Sequence, residues 1–87
     1  MTYHWAALTL TDQELVTHST GKAMSPRRII HSPNSRRFRL RDEKEKIVAM
    51  GHLVGGTEAL AAPLNDADET LGAVNIEYLV RGRWVPS

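Results

Sequence analysis

Residues 36–42 read RRFRLRD, and this stretch decides the fold class. Phe38 and Leu40 alternate with arginines at positions 37, 39 and 41, which is the two-residue period of a β-strand. Because successive side chains of a strand point to opposite faces, we expect Phe38 and Leu40 to enter the core and the three arginines to point away from it. The stretch therefore predicts a strand from Arg36 to Asp42.

The segments around this strand predict further strands. Residues 47–54 are largely apolar on both faces, which is typical of an interior strand, and a turn over residues 43–45 would join them to the arginine strand. Residues 3–11, 15–20 and 74–80 favour strands as well, and Arg81 and Gly82 predict the turn of a C-terminal hairpin. In the first of these strands we expect Leu8 on the apolar side and Thr9 on the solvated side.

The remaining segments predict short elements. Residues 27–31 favour a short strand, because they contain two adjacent isoleucines. Thr57 is a suitable cap for a short helix over residues 58–62, which Pro63 would end, and a second helical turn from Asn65 would end at Gly72. Together these elements predict one α+β, β-rich domain over residues 1–87, with a small twisted antiparallel sheet or partly open barrel and one short helical connector before the C-terminal hairpin.

The composition excludes several classes of protein. Among 87 residues there is no cysteine, which rules out disulfides, thiolate zinc sites and a cysteine nucleophile. The N-terminal residues lack the features of a secretory signal, and no apolar run approaches the length that spans a membrane. We therefore expect a soluble, cytoplasmic protein without membrane partners.

The charges are divided along the chain. The net charge is only +1, yet residues 22–41 contain seven Lys and Arg and no acid, whereas residues 58–77 contain five acids and no Lys or Arg. Arginines at alternate strand positions stand about 6.6–7 Å apart, close to the spacing of phosphates along one nucleic-acid strand. We therefore predict binding of a nucleic acid or nucleoprotein. The expected binding residues are Arg27, Arg28, Arg36, Arg37, Arg39 and Arg41.

Other interpretations of the charges stay open. Arg also binds carboxylates, so the same face would fit an acidic protein surface, and the plainer alternative is a solvated face with weak surface pairs. The acidic segment suggests a protein-interaction module or inhibitor that imitates nucleic acid and occupies a basic protein surface. Its expected residues are Glu58, Asp66, Asp68 and Glu69.

Nothing in the sequence predicts catalysis, a cofactor or a metal site. The histidines at positions 4, 18, 31 and 52 lack the three- or four-residue spacing of a ligand pair on one helix. The acids at 66 and 68 lack the glycine and the terminal glutamate of a calcium loop. A nucleophile elbow and a phosphate-binding glycine loop are also missing. We therefore expect a binding protein that is not an enzyme.

The tryptophans lie near the two ends of the chain. Trp5 and Trp84 are most simply core residues, but large aromatic side chains also anchor interfaces. If the first and last strands are sheet edges, these residues would line a homodimer contact that pairs the edges. Their burial distinguishes the two cases.

Overall fold

A computed structural model describes residues 2–87, except for the side chain of Asp68. In this part of the chain there are six strands, two α-helices and one 3₁₀ helix. In chain order they are β1 (His4–Thr9), β2 (Leu15–Ser19), α1 (Pro26–Ile30), β3 (Arg36–Asp42), β4 (Ile47–Val54), the 3₁₀ helix (Thr57–Ala59), α2 (Ala62–Leu71), β5 (Ala73–Val80) and β6 (Arg83–Pro86). None of the described helices has both the length and the apolar character needed to cross a membrane.

The six strands form one open antiparallel sheet in the order β2-β1-β4-β3-β5-β6. The predicted β-rich antiparallel fold is confirmed at this level. β3 and β4 have the predicted bounds, and β4 lies inside the sheet between β1 and β3, as its apolar sequence indicated. β2 and β6 are the edges, so β1 is not an edge strand.

One face of the sheet, which we call the core face, carries the main hydrophobic core. Phe38 and Leu40 are fully buried there beneath α2 and the 3₁₀ helix, as their alternation with arginine predicted. Gly51 lies beside Phe38, and a Cβ atom at this position would come within 2.2 Å of the Ala6 carbonyl oxygen. Because backbone occupies that space, only glycine fits there.

The opposite face, which we call the arginine face, is covered in part by α1. The prediction of a strand over residues 27–31 is wrong, because this segment is helical. Ser25 is the N-cap, and its hydroxyl accepts a hydrogen bond from the Arg28 amide at 3.3 Å, while Pro26 occupies the first turn, where a missing N–H costs nothing. Ile29 is fully buried, and α1 packs against β1 and β4.

The side chains of β1 point opposite to the prediction. Thr9 is buried, whereas Leu8 is 44% exposed. The register with β4 places Thr9 opposite Ala49 on the core face. Burial of the hydroxyl is tolerated because its oxygen accepts a hydrogen bond from the Glu14 amide at 3.0 Å.

The connector before β5 also differs in detail. Pro63 does not end a helix, because it lies in the first turn of α2, where the helix needs no donor from it. The short helix expected over residues 58–62 is replaced by the 3₁₀ helix and the start of α2. Gly72 follows the last residue of α2 with φ of +67°, as predicted for an exit residue.

Candidate functional site

The structure brings five of the six predicted binding arginines to one side of the molecule. Arg37, Arg39 and Arg41 project from β3 on the arginine face, and α1, which carries the arginines at 27 and 28, packs on the same side. Arg36 has the opposite parity and lies on the core side, near Tyr78. It therefore does not belong to the same surface.

Two of these arginines are held by one acid of the chain itself. The Nε atoms of Arg39 and Arg41 donate to the same Oε1 atom of Glu77, at 2.6 and 2.7 Å. The three side chains are 15%, 26% and 17% exposed, respectively. These hydrogen bonds lower the pKa of the Glu77 carboxyl below its ordinary value. The basic and acidic segments therefore meet inside the molecule, at this point on the arginine face.

An aromatic ring completes this cluster. The guanidinium carbon of Arg39 lies 4.3 Å from the centre of the Trp84 ring, a cation–π contact. Trp84 is half-buried on the edge strand β6, opposite Leu79 of β5. Trp5, by contrast, is a core residue of an interior strand, and its indole N–H donates to Asp66 at 2.9 Å. Trp5 is thus unavailable for a contact between sheet edges.

The end of the arginine face nearest α1 shows no such neutralisation in the part of the chain that the structure describes. Arg37 lies opposite His52 of β4, and the pKa of His52 is lowered by burial first and then by the positive charges of Arg37 and His31. Among the described residues, the exposed arginines of α1 and Arg37 form no ion pair with a carboxylate. The sequence patterns did not predict that His31 and His52 lie beside Arg37 on this face. Their proximity depends on the folding of α1 over β4.

The acids of the predicted alternative surface lie on the other side of the sheet. Glu58 belongs to the 3₁₀ helix, and Asp66 and Glu69 belong to α2, both of which cover the core face. Asp66 also accepts a hydrogen bond from the Tyr3 hydroxyl at 3.0 Å, and the His18 Nε2 atom lies 3.7 Å away. This carboxylate therefore stabilises the packing of α2 on β1. The predicted role of the Asp68 side chain lies outside the described residues.

Comparison with known proteins does not assign this site. No protein-family model matches the chain, and no curated protein or solved structure is significantly similar to it. Within the described residues, no three His, Cys, Asp or Glu side chains are grouped so that they would hold a metal ion. The functional argument therefore rests on the charge distribution and geometry of the arginine face.

Proposed function

We propose that this protein binds a nucleic acid, alone or within a nucleoprotein, through the arginine face and α1, and that it does so without catalysing a reaction. The observation that carries the proposal is the separation of charge by the sheet. Five arginines lie on one side, where Glu77 contacts two of them, Arg39 and Arg41. Glu58, Asp66 and Glu69 lie on elements of the other side. A polyanion approaching the arginine face meets a net positive surface.

Three arginines provide the main contacts. Arg27, Arg28 and Arg37 are exposed and have no carboxylate partner among the described residues, so phosphate oxygens would not have to displace an acid from them. Arg39 and Arg41 contribute less, because Glu77 already occupies their Nε atoms. The half-buried ring of Trp84 extends the surface and adds an aromatic group for contact with a base.

A protein-interaction or inhibitor function through residues 58–77 is the second candidate. It is supported by the same separation of charge, which places Glu58 and Glu69 on the layer opposite the arginines. It is weakened by Asp66, whose carboxylate already accepts hydrogen bonds from Trp5 and Tyr3. The fold also permits two further kinds of partner. One is an acidic protein bound to the arginine face, and the other is a second copy of the chain paired through an edge strand.

Fluorescence anisotropy with labelled single-stranded DNA, single-stranded RNA and duplex DNA tests the first function. Three phosphate contacts to a single strand give a slope near −2 in a plot of log K against log salt, or about a 20-fold loss of affinity between 50 and 200 mM salt. The combined substitution Arg27→Gln, Arg28→Gln and Arg37→Gln should remove most of this slope.

The matched control removes the same charge elsewhere, with Lys44→Gln, Lys46→Gln and Arg83→Gln. These residues lie in the β3–β4 turn and on β6, away from α1. The control should retain most of the salt dependence. No binding at low salt, or an equal loss in both triple variants, would refute the proposal and favour a protein partner.

A further inference from the structure

A groove of 560 Å³ lies where β3 begins and β5 ends, between the connector before α2 and the edge strand β6. Its apolar lining includes Leu60, Val80 and Val85, and the two valines are 48% and 43% exposed. Apolar side chains of strands that face a core are normally covered. No residue of α2 contributes to the lining of this groove.

The charged side chains that line this groove are all positive. Arg36, Arg37 and Arg81 contribute to its lining, and no carboxylate side chain does. Tyr78 also lines the groove, but its hydroxyl donates a hydrogen bond to the Leu60 carbonyl oxygen at 2.7 Å. An anion in the groove would therefore be held by guanidinium groups and not by the phenol.

Arg81 occupies an unusual backbone position. It has φ of +52°, and the next residue, Gly82, has φ of +79°. A two-residue hairpin turn with positive φ at both positions strongly favours Asn or Gly at the first of them. A long cationic side chain is thus placed at the lip of the groove at a conformational cost, which is a recurring feature of binding sites.

We propose that this groove binds a small amphipathic anion, namely a carboxylate that carries an apolar group. The volume falls within the range of about 300–1,000 Å³ that is typical of small-molecule sites. Guanidinium groups hold carboxylates through paired hydrogen bonds, and the exposed valines would cover the apolar part of the ligand. The groove shares Arg37 with the proposed nucleic-acid surface but does not include the arginines of α1. The variants that test it lie at positions 36 and 81 and leave Arg37 intact, so either proposal can fail without the other.

Titration of the ¹³C-methyl-labelled protein with octanoate tests the proposal, with 1-octanol as the uncharged analogue. We expect the methyl resonances of Val80 and Val85 to shift, and octanoate to bind at least tenfold more tightly than octanol. Arg36→Gln and Arg81→Asn should each weaken octanoate binding by about tenfold. Since Asn suits the backbone at position 81, the Arg81→Asn variant should also melt at a higher temperature than the unmodified protein.

Arg83→Gln is the matched control, because it removes one positive charge from the same hairpin without altering the groove lining. It should bind octanoate like the unmodified protein. The proposal is overturned if octanol binds as tightly as octanoate, if Arg81→Asn binds normally, or if the methyl shifts occur at Leu8 and Leu15 instead. A dimer that already covers Val80 and Val85 would also overturn it, since the occupant would then be a second copy of the chain.

Discussion

Replacing Glu77 with glutamine removes the carboxylate that contacts both Arg39 and Arg41. A hydrogen bond to a charged group contributes about 1.5–3 kcal/mol, whereas an exposed ion pair contributes about 0–1 kcal/mol. The three side chains are 15–26% exposed, which places this cluster between the two limits. Because the amide oxygen of glutamine can still accept one weaker bond, we expect Glu77→Gln to lower the free energy of unfolding by about 2 kcal/mol. For a domain of this size that corresponds to roughly 8–16 °C in Tm.

The pH dependence of the free energy of unfolding distinguishes a contribution from these ionic hydrogen bonds from a contribution of side-chain packing. Hydrogen bonds from Arg41 and Arg39 lower the pKa of Glu77 in the folded state, so the folded protein binds a proton here less readily than the unfolded chain. The contribution of Glu77 is complete above the unfolded pKa of about 4.3 and is lost as the pH falls through the folded value. The stability difference between the unmodified protein and Glu77→Gln should therefore be largest near pH 7 and shrink in acid.

Urea denaturation followed by tryptophan fluorescence measures this difference at a series of pH values. Glu43→Gln is the matched control, because this exposed residue of the β3–β4 turn makes no ion pair among the described residues. Equal stability of Glu77→Gln and the unmodified protein at pH 7 would refute the reasoning, and so would a deficit that persists unchanged in acid. If the arginine face binds single-stranded nucleic acid, the two released guanidinium groups should also steepen the salt slope by up to about 1.4.

Three further predictions concern the packing and the titration of the site. Gly51→Ala should lower the free energy of unfolding by about 1–3 kcal/mol in a denaturant titration, since the new methyl group meets backbone. An unchanged stability would contradict this and show that β1 and β4 can move apart at this position. Asp66→Ala should cost about 1–3 kcal/mol because it leaves the indole N–H of Trp5 without its acceptor, while Asp66→Asn should cost less; equal losses would contradict this explanation. Because the pKa of His52 is lowered in the folded state, the unfolded chain takes up the proton first, and stability should fall as the pH drops below about 6.5. His52→Gln should flatten this part of the plot of stability against pH. An unchanged plot would exclude His52 as the source of the pH dependence.

The parts of the fold that the sequence predicts correctly are those set by local periodicity. The strand over residues 36–42 follows from the alternation of Phe38 and Leu40 with arginine, and β4 follows from a segment that is largely apolar on both faces. Helix α1 was missed, although Ser25 and Pro26 are a recognisable helix start. The adjacent isoleucines favour a strand, and the helix gains stability by burying Ile29 against the sheet, which is a tertiary effect.

The candidate site also has one part that local periodicity predicts and another that depends on the tertiary fold. That Arg37, Arg39 and Arg41 share a face follows from strand parity alone. The contact of the last two with Glu77 does not, because it requires β5 to lie beside β3 across more than 30 residues of chain. Strand parity also places Arg36 on the opposite face. Its prediction as a binding residue came instead from its position in the run of basic residues.

The incomplete neutralisation of the arginine face follows from the core on the other side of the sheet. Ile76 and Tyr78 are buried on the core face, so strand parity places Glu77 on the arginine face, where the register sets it opposite Arg39. The next position on that face, opposite Arg41, is Asn75, which carries no charge. One carboxylate therefore serves two guanidinium groups, and Arg37 with the arginines of α1 adds to the excess. The packing that stabilises the sheet thus leaves a positive surface on its far side, which is the surface through which we propose that the protein binds a polyanion.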